Sequence, residues 1–260
     1  MEEKQPNGYV LYDGPSLLSG TRIVVIATGF EDPSQNKKTG PMIQTWILVA
    51  DQPPTEAAFN GQDYAVCGDC KFRYSPGIGR ACYVNVGQGP LAVWRTWKKG
   101  GYRPLADPDA FRSKLVRIGS YGDPAAVPVG IWTAVTDGCQ GYTGYTHQWR
   151  TAPAELSKFC MASADSDDER DAARSLGYRT FRVRGADDLR RHAGEAVCPA
   201  SPESRVTRQL QCWECLACCG TEGQRRGDIV ISARGSSGTR AAFKRVTHEI
   251  VGRGSEHAAA

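Results

Sequence analysis

The chain has 260 residues, 40% of them hydrophobic and 23% charged, with a net charge of +4. This is an ordinary globular composition, long enough for one large core or two modest ones. No run of about 18 apolar residues occurs, which excludes a membrane-spanning helix and argues against a membrane partner.

In chain order, residues 1–20 read as a flexible segment. Its opening, MEEKQPNGYVLYDG, is acidic and broken by Pro and Gly, which does not fit a secretory signal. A reducing, cytoplasmic setting is therefore expected, where ten cysteines serve as metal ligands or catalysts rather than disulfides. Residues 21–235 read as one domain. TRIVVIATGF and TWILVAD are short, β-branched apolar runs expected to form buried strands. CGDCKFRYSPGIGRACY then supplies Cys67, Cys70 and Cys82, a first cysteine cluster over 67–82. GPLAVWRTWKKG has helical spacing and ends in Lys-Lys-Gly.

Four repeats of strand, polar turn and helix follow. KLVRIGS precedes DPAAVPVGIWTAV, YTGYTH precedes APAELSKF, FCMASAD precedes SDDERDAARSLG, and YRTFRVRG precedes ADDLRRHAG. In the third helix Ser166 and Glu169 form a capping box, Asp167 and Asp168 suit the positive end, and Gly177 supplies the stop. CPASPESRVTRQLQCWECLACC carries the second cluster, over 198–219, and DIVISARG is a last strand. Residues 236–260 read as a C-terminal extension, partly disordered.

Alternation of this kind predicts an α/β fold with a parallel sheet, a complete or partial (β/α) TIM-like barrel carrying cysteine-rich metal-binding insertions. Reactive groups in such folds stand at the carboxyl ends of the strands. That rule selects Arg117, Ser120, Tyr121 and Asp123, then Tyr145, His147 and Trp149, then Ser163 and Asp165, then Arg182 and Arg184. Asp123, His147 and Asp165 are the acid–base candidates, and the others are substrate-binding candidates. Asp123 before Pro124 reads equally as a helix cap, and His147 as a structural histidine.

The cysteine spacings point to metal. In CWECLACC, Cys212, Cys215 and Cys218 form C-x2-C-x2-C, and Cys198 before Pro199 completes four thiolates. Such a set holds an iron–sulfur cluster or a tetrahedral zinc ion, and spacing alone leaves both open. Cys67, Cys70 and Cys82 form a trio with no fourth ligand nearby in sequence, either a second centre or part of a shared one. Cys139 and Cys160 read as small buried hydrophobes. Residues 179–245 carry thirteen Lys/Arg against seven Asp/Glu, a balance that makes nucleic acid or nucleotide a plausible partner.

KKTGPMIQTWIL, CGDC…RACYVNVGQGPLAV, VRIGSYGDPAAVP, GYTHQW, CMASAD, GYRTFRV, CPAS and the C-x2-C-x2-C segment together resemble an uncharacterised cysteine-rich family encoded by bacteriophages, plasmids and other mobile bacterial elements. The resemblance covers roughly residues 20–235 and implies a bacterial host cell and a radical-S-adenosylmethionine-like barrel. S-adenosylmethionine would then be a further cofactor, although C-x2-C-x11-C here replaces the C-x3-C-x2-C of the radical enzymes. The expected function is a metal-containing enzyme of a mobile element acting on a nucleobase, nucleotide or nucleic acid, by radical or transglycosylase chemistry. The alternative is a zinc-stabilised nucleic-acid-binding protein of replication or host takeover, without catalysis.

Overall fold

The computed structural model describes residues 6–185, 188–204, 206–223 and 227–257, side chains at 108 and 248–257 excepted. In chain order the elements are β1 (Gly8–Pro15), β2 (Arg22–Thr28), β3 (Ile43–Val49), α1 (Pro54–Asn60), α2 (Tyr64–Cys67), α3 (Gly89–Lys98), β4 (Arg103–Pro104), β5 (Leu115–Tyr121), α4 (Val129–Thr136), β6 (Gly141–Thr143), β7 (Tyr145–Thr146), β8 (Met161–Ala164), α5 (Asp167–Ser175), β9 (Thr180–Arg184), β10 (Glu195–Val197), α6 (Cys212–Cys215), β11 (Asp228–Ser232) and α7 (Ser237–His257). Short 3-10 turns stand at Pro108–Phe111, Pro124–Ala126 and Ala154–Lys158.

The strands form two sheets. One is mixed, in the order β4-β1-β2-β3-β5-β6, and the other is parallel throughout, in the order β10-β11-β9-β8-β7. β2 and β3 are its most apolar runs, and both lie in the interior of the mixed sheet. Ile23 to Ala27 of β2 and all of β3 are buried, so β-branched residues cover both faces of an antiparallel pair. From β3 onward the pairing is parallel, through β5 to β6. Helical and loop segments pack Trp132, Phe111, Leu156 and Val66 against these strands as the main core.

A single residue, Gly144, separates β6 from β7. The first half of this broken strand pairs with β5 and the second with β8, so the two sheets meet there. The outer strands β4 and β10 remain unpaired on their far sides, and no closed barrel forms among the described residues. A complete TIM-like barrel is thus corrected to a mixed α/β fold with two sheets.

Three further expectations are revised. Residues 8–15, assigned to a flexible segment, form β1, because the strand pairs with β2 at seven positions and Val10, Leu11 and Tyr12 pack on the core. The helix expected over ADDLRRHAG is not formed at 188–194; 186 and 187 lie outside the described residues. Asp188 draws the Arg190 amide and guanidinium to its own carboxylate, and Glu195 takes the His192 amide. These local bonds compete with a helical ladder. The C-terminal extension forms α7, whose Ala242, Phe243 and Val246 bury against Phe72 and Ala81; residues 258–260 lie outside the described residues.

Candidate functional site

The C-terminal cysteines share one cavity. Cys198, just past β10, Cys212 and Cys215 on α6, and Cys218 line a space of about 20 Å³ with Thr143, Pro199, Ala200, Leu216, Ala217 and Ile229. The surrounding chain is tied down at several points. Gln211 and Glu214 form a reciprocal capping box on α6, and Leu216 turns the chain through a left-handed conformation. The Cys212 amide donates to Lys38 O at 2.9 Å, the Cys198 amide to Val230 O at 2.9 Å, and the Gly144 amide to Cys218 O at 2.9 Å. Arg179 clamps the end of the loop, donating to Cys219 O at 2.8 Å and Ala217 O at 2.9 Å. Cys219 is buried with its sulfur 3.2 Å from Arg179 Nη1, outside the cavity lining.

Electrostatics in this cavity disfavour bare thiolates. Burial pushes the Cys198 thiol up, and neighbouring Cys212 and Cys215 push it further. Burial also pushes Cys218 up, against a hydrogen bond from the Tyr145 hydroxyl. Cys198 and Cys218 so placed ionise readily only when a cation shares the space. A fit to metal is therefore chemical, in the donor set. No group of three or more His, Cys, Asp or Glu side chains among the described residues already stands in ligand geometry. Closing around an ion takes side-chain rotation between staggered wells.

The N-terminal trio collects at a different place. Cys67 ends α2, the Cys70 amide donates to Cys67 O at 3.2 Å, and the Cys82 amide donates to Phe72 O at 2.9 Å. Arg73 braces the loop through Asp63 at 2.8 Å and the carbonyls of Gly68 and Gly61. Arg80 donates to the carbonyls of Cys82 and Val84. Burial raises the Cys67 thiol, and Cys70 and Asp63 add to it; burial also raises Cys82, which Arg80 opposes.

The strand end after β7 meets this trio. Gln148 Nε2 donates to Cys67 O at 3.2 Å, and Phe72 packs edge-on against His147 with ring centres 5.5 Å apart. Gly68 has φ 53°, and a Cβ there would come within 2.5 Å of the Gln148 amide carbon. Only glycine permits that approach. Burial works against a charged His147, but Cys70, Asp165 and Asp123 outweigh it and hold the imidazole at about 10. His147 Nε2 lies 3.9 Å from Asp165 Oδ2. The Asp165 side chain is fully buried with Lys71 Nζ 3.1 Å away. Burial raises its carboxyl, against the pull of His147 and Lys71.

A third set lies beside the four-cysteine cavity. Arg117 stacks over the Tyr145 ring at 4.7 Å, Tyr145 packs on Phe181, and Arg117 Nη2 donates to the Tyr83 hydroxyl at 3.4 Å.

Other rim candidates are turned to structural use. Asp123 accepts from the Ala125 amide, the Thr146 hydroxyl and the His147 amide, which is the geometry of a cap. Arg182 pairs with both oxygens of buried Glu195 at 2.8 Å, and Arg184 pairs with Glu203 at 2.8 Å. Neither guanidinium projects freely toward a ligand. Trp149 packs with Ala162, Ala173 and Tyr178, and its indole donates to the Ser163 carbonyl. Tyr121 is buried, and the hydroxyls of Ser120 and Tyr121 have no hydrogen-bond partner among the described residues. Lys71, 3.0 Å from Glu169 beside Asp165, is a site residue that the sequence does not single out. Glu169 was expected to close a capping box on Ser166; its carboxylate instead takes the Asp165 amide. The position of Lys71 directly after Cys70 was the available signal.

Comparison of the chain with protein-family models, curated proteins and solved structures finds no match. Among the described residues, no helix is long and apolar enough to cross a membrane.

Proposed function

We propose that this protein is a metal-containing enzyme acting on a nucleobase, nucleotide or nucleic acid, with its metal centre in the four-cysteine cavity. Cys198, Cys212, Cys215 and Cys218 would hold an iron–sulfur cluster or zinc. Bound there, a cluster supplies electron transfer, and zinc, closed by four thiolates, supplies structural bracing. The observation that carries this reading is the convergence on one cavity of four cysteines from two chain segments, Cys198 and the stretch 212–218. The parallel run from β3 to β9 reads as an open, partial barrel around it.

Substrate recognition falls to Arg117, Tyr145 and Tyr83. The exposed Tyr83 ring offers a face on which a base stacks, and the Arg117 guanidinium held over Tyr145 beside it meets phosphate or carboxylate. Asp123 acts in this reading as a positioning residue, since three donors occupy its carboxylate. The alternative, a zinc-stabilised nucleic-acid binder without chemistry, draws support from the internal use of Arg182 and Arg184, which leaves a smaller polar rim.

Purification without oxygen, followed by assay of iron, sulfide and zinc and a visible spectrum, tests the centre. Stoichiometric metal is expected, and the share held by the four-cysteine cavity should be lost in Cys212→Ser/Cys215→Ser. Metal-free wild-type protein, unable to take up iron or zinc, would overturn the reading. Iron with broad absorption near ~400 nm supports redox chemistry, whereas zinc alone moves the balance to transglycosylation or binding. Titration with mononucleotides and single-stranded DNA tests the ligand class. Arg117→Ala should weaken binding at least tenfold, and absence of binding to either ligand would remove this substrate class.

A further inference from the structure

We infer that Cys67, Cys70, Cys82 and His147 are the ligands of a second metal centre, closed and zinc-type, with Asp165 and Lys71 as the groups that fix the histidine. The trio lacks a fourth ligand in its own segment. The fold supplies one from 65 residues beyond Cys82. Two independent contacts bring that segment in: the Gln148 side-chain amide, which bonds to Cys67 O and lies close against Gly68, and the Phe72–His147 ring contact. His147 itself is anchored from behind, its amide donating to Asp123 Oδ2 at 2.7 Å.

The surroundings of His147 suit a ligand better than a free acid–base group. Its Nε2 is buried and makes no hydrogen bond among the described residues, although Asp165 Oδ2 lies 3.9 Å away. Among the described residues neither oxygen of the fully buried Asp165 carboxylate makes an aligned hydrogen bond, although Lys71 Nζ, which donates to Glu169, pairs with its Oδ2 at 3.1 Å. A histidine that binds metal through one nitrogen commonly gives its other N–H to a carboxylate, which sets the tautomer and ring orientation. Asp165 is placed for that role after a small ring adjustment. Three thiols and one imidazole form a complete tetrahedral set, the pattern of structural zinc rather than of a site with an open position.

Such a centre would join α2, the loop over 70–82 and the end of β7. It would also hold the surface on which α7 rests, through Phe72 and Ala81 on one side and Phe243 on the other. This centre is distinct from the four-cysteine cavity, and the two can be tested separately in one experiment.

Full-length protein is stripped with a chelator under reducing conditions, reloaded with zinc, and pulsed with N-ethylmaleimide. Mass spectrometry then reads each cysteine. Zinc should protect Cys67, Cys70 and Cys82 together, at one equivalent beyond that needed by Cys198, Cys212, Cys215 and Cys218. Cys139 serves as the unprotected control. Protection confined to the C-terminal group, or of no cysteine at all, overturns the second centre; the former outcome leaves the first proposal standing. His147→Gln should weaken zinc at the trio at least tenfold without altering protection of the C-terminal group. Unchanged affinity would remove His147 from the ligand set. Where a variant folds poorly, X-ray absorption of cobalt-loaded wild-type protein decides the point: a nitrogen ligand is expected in the averaged shell, and sulfur alone would overturn the assignment.

Discussion

Asp123 shows how one carboxylate can be read in two ways. At the end of a strand, after a glycine and before a proline, it suits either a base or a cap. The fold commits it to capping, with one oxygen taken by the Ala125 amide and Thr146 hydroxyl and the other by the His147 amide. Burial raises its carboxyl, and these donors oppose the rise. Asp123→Asn replaces one acceptor oxygen by an amide that faces the His147 or Ala125 N–H. We expect a loss of about 1–3 kcal/mol in urea unfolding, the usual penalty of an unsatisfied buried group. An undisturbed midpoint with abolished activity would instead restore the carboxylate as a base. The two arginines of β9 tell a similar story. RVR at a strand end reads as a phosphate grip, but Glu195 and Glu203, thirteen and nineteen residues onward, neutralise both side chains. Sequence separation hid those partners.

Elements with strong local signals were legible, and those built by distant contacts were not. β2, β3, β5, β8 and β9 follow from apolar runs, and α5 from its cap and the glycine after it. The segment APAELSKF closes only as a 3-10 turn. Its five residues between Pro153 and Phe159 are too few to repay helix nucleation. β1 carries no cue of its own beyond alternation, since its order comes from pairing with β2. The link after β10 is held by Glu203, which accepts from the Ser232 amide and hydroxyl at 2.7 Å, from Ser201 and from Arg184. Burial alone would raise its carboxyl, but these donors prevail and hold it at about 2. A folded value below the unfolded one means that Glu203 stabilises above the ordinary carboxylate range. The benefit fades as pH falls from about 4.5 toward about 2. Glu203→Gln should therefore cost about 1–2 kcal/mol at pH 7, after allowance for partial exposure, and little near pH 2. Thermal melts across that range check it; a penalty independent of pH would show that the charge is not the cause.

Across the whole molecule, alternation foretold parallel pairing but not the antiparallel meander of β1, β2 and β3 that precedes it. It also did not reveal that the strands stay open, because closure depends on which edges meet in space. The grouping of Cys198 with the C-x2-C-x2-C segment was visible as spacing, whereas the approach of His147 to the trio required the folded chain. Packing of the cysteine loop against the core adds a constraint at Gly220. A Cβ there would lie inside the contact radius of the Lys158 carbonyl, which is backbone and cannot swing aside. The neighbouring Thr221 amide bonds to Ser157 O at 2.9 Å, so loop and turn are fixed together. Gly220→Ala should destabilise the fold by about 3 kcal/mol and loosen metal at the C-terminal cysteines more than at the trio. Differential alkylation and chemical unfolding measure the two effects; wild-type values for both would show that the loop is free of this packing.

The amide of Gly144 has one proton to give, and it goes to Cys218 rather than to a neighbouring strand. The sheet thus lends a rung of its ladder to the sulfur-rich loop, at the residue where one strand changes partners. A shift of that loop therefore pulls on this joint, and the angle between the two sheets becomes a property that the cysteine loop helps to set.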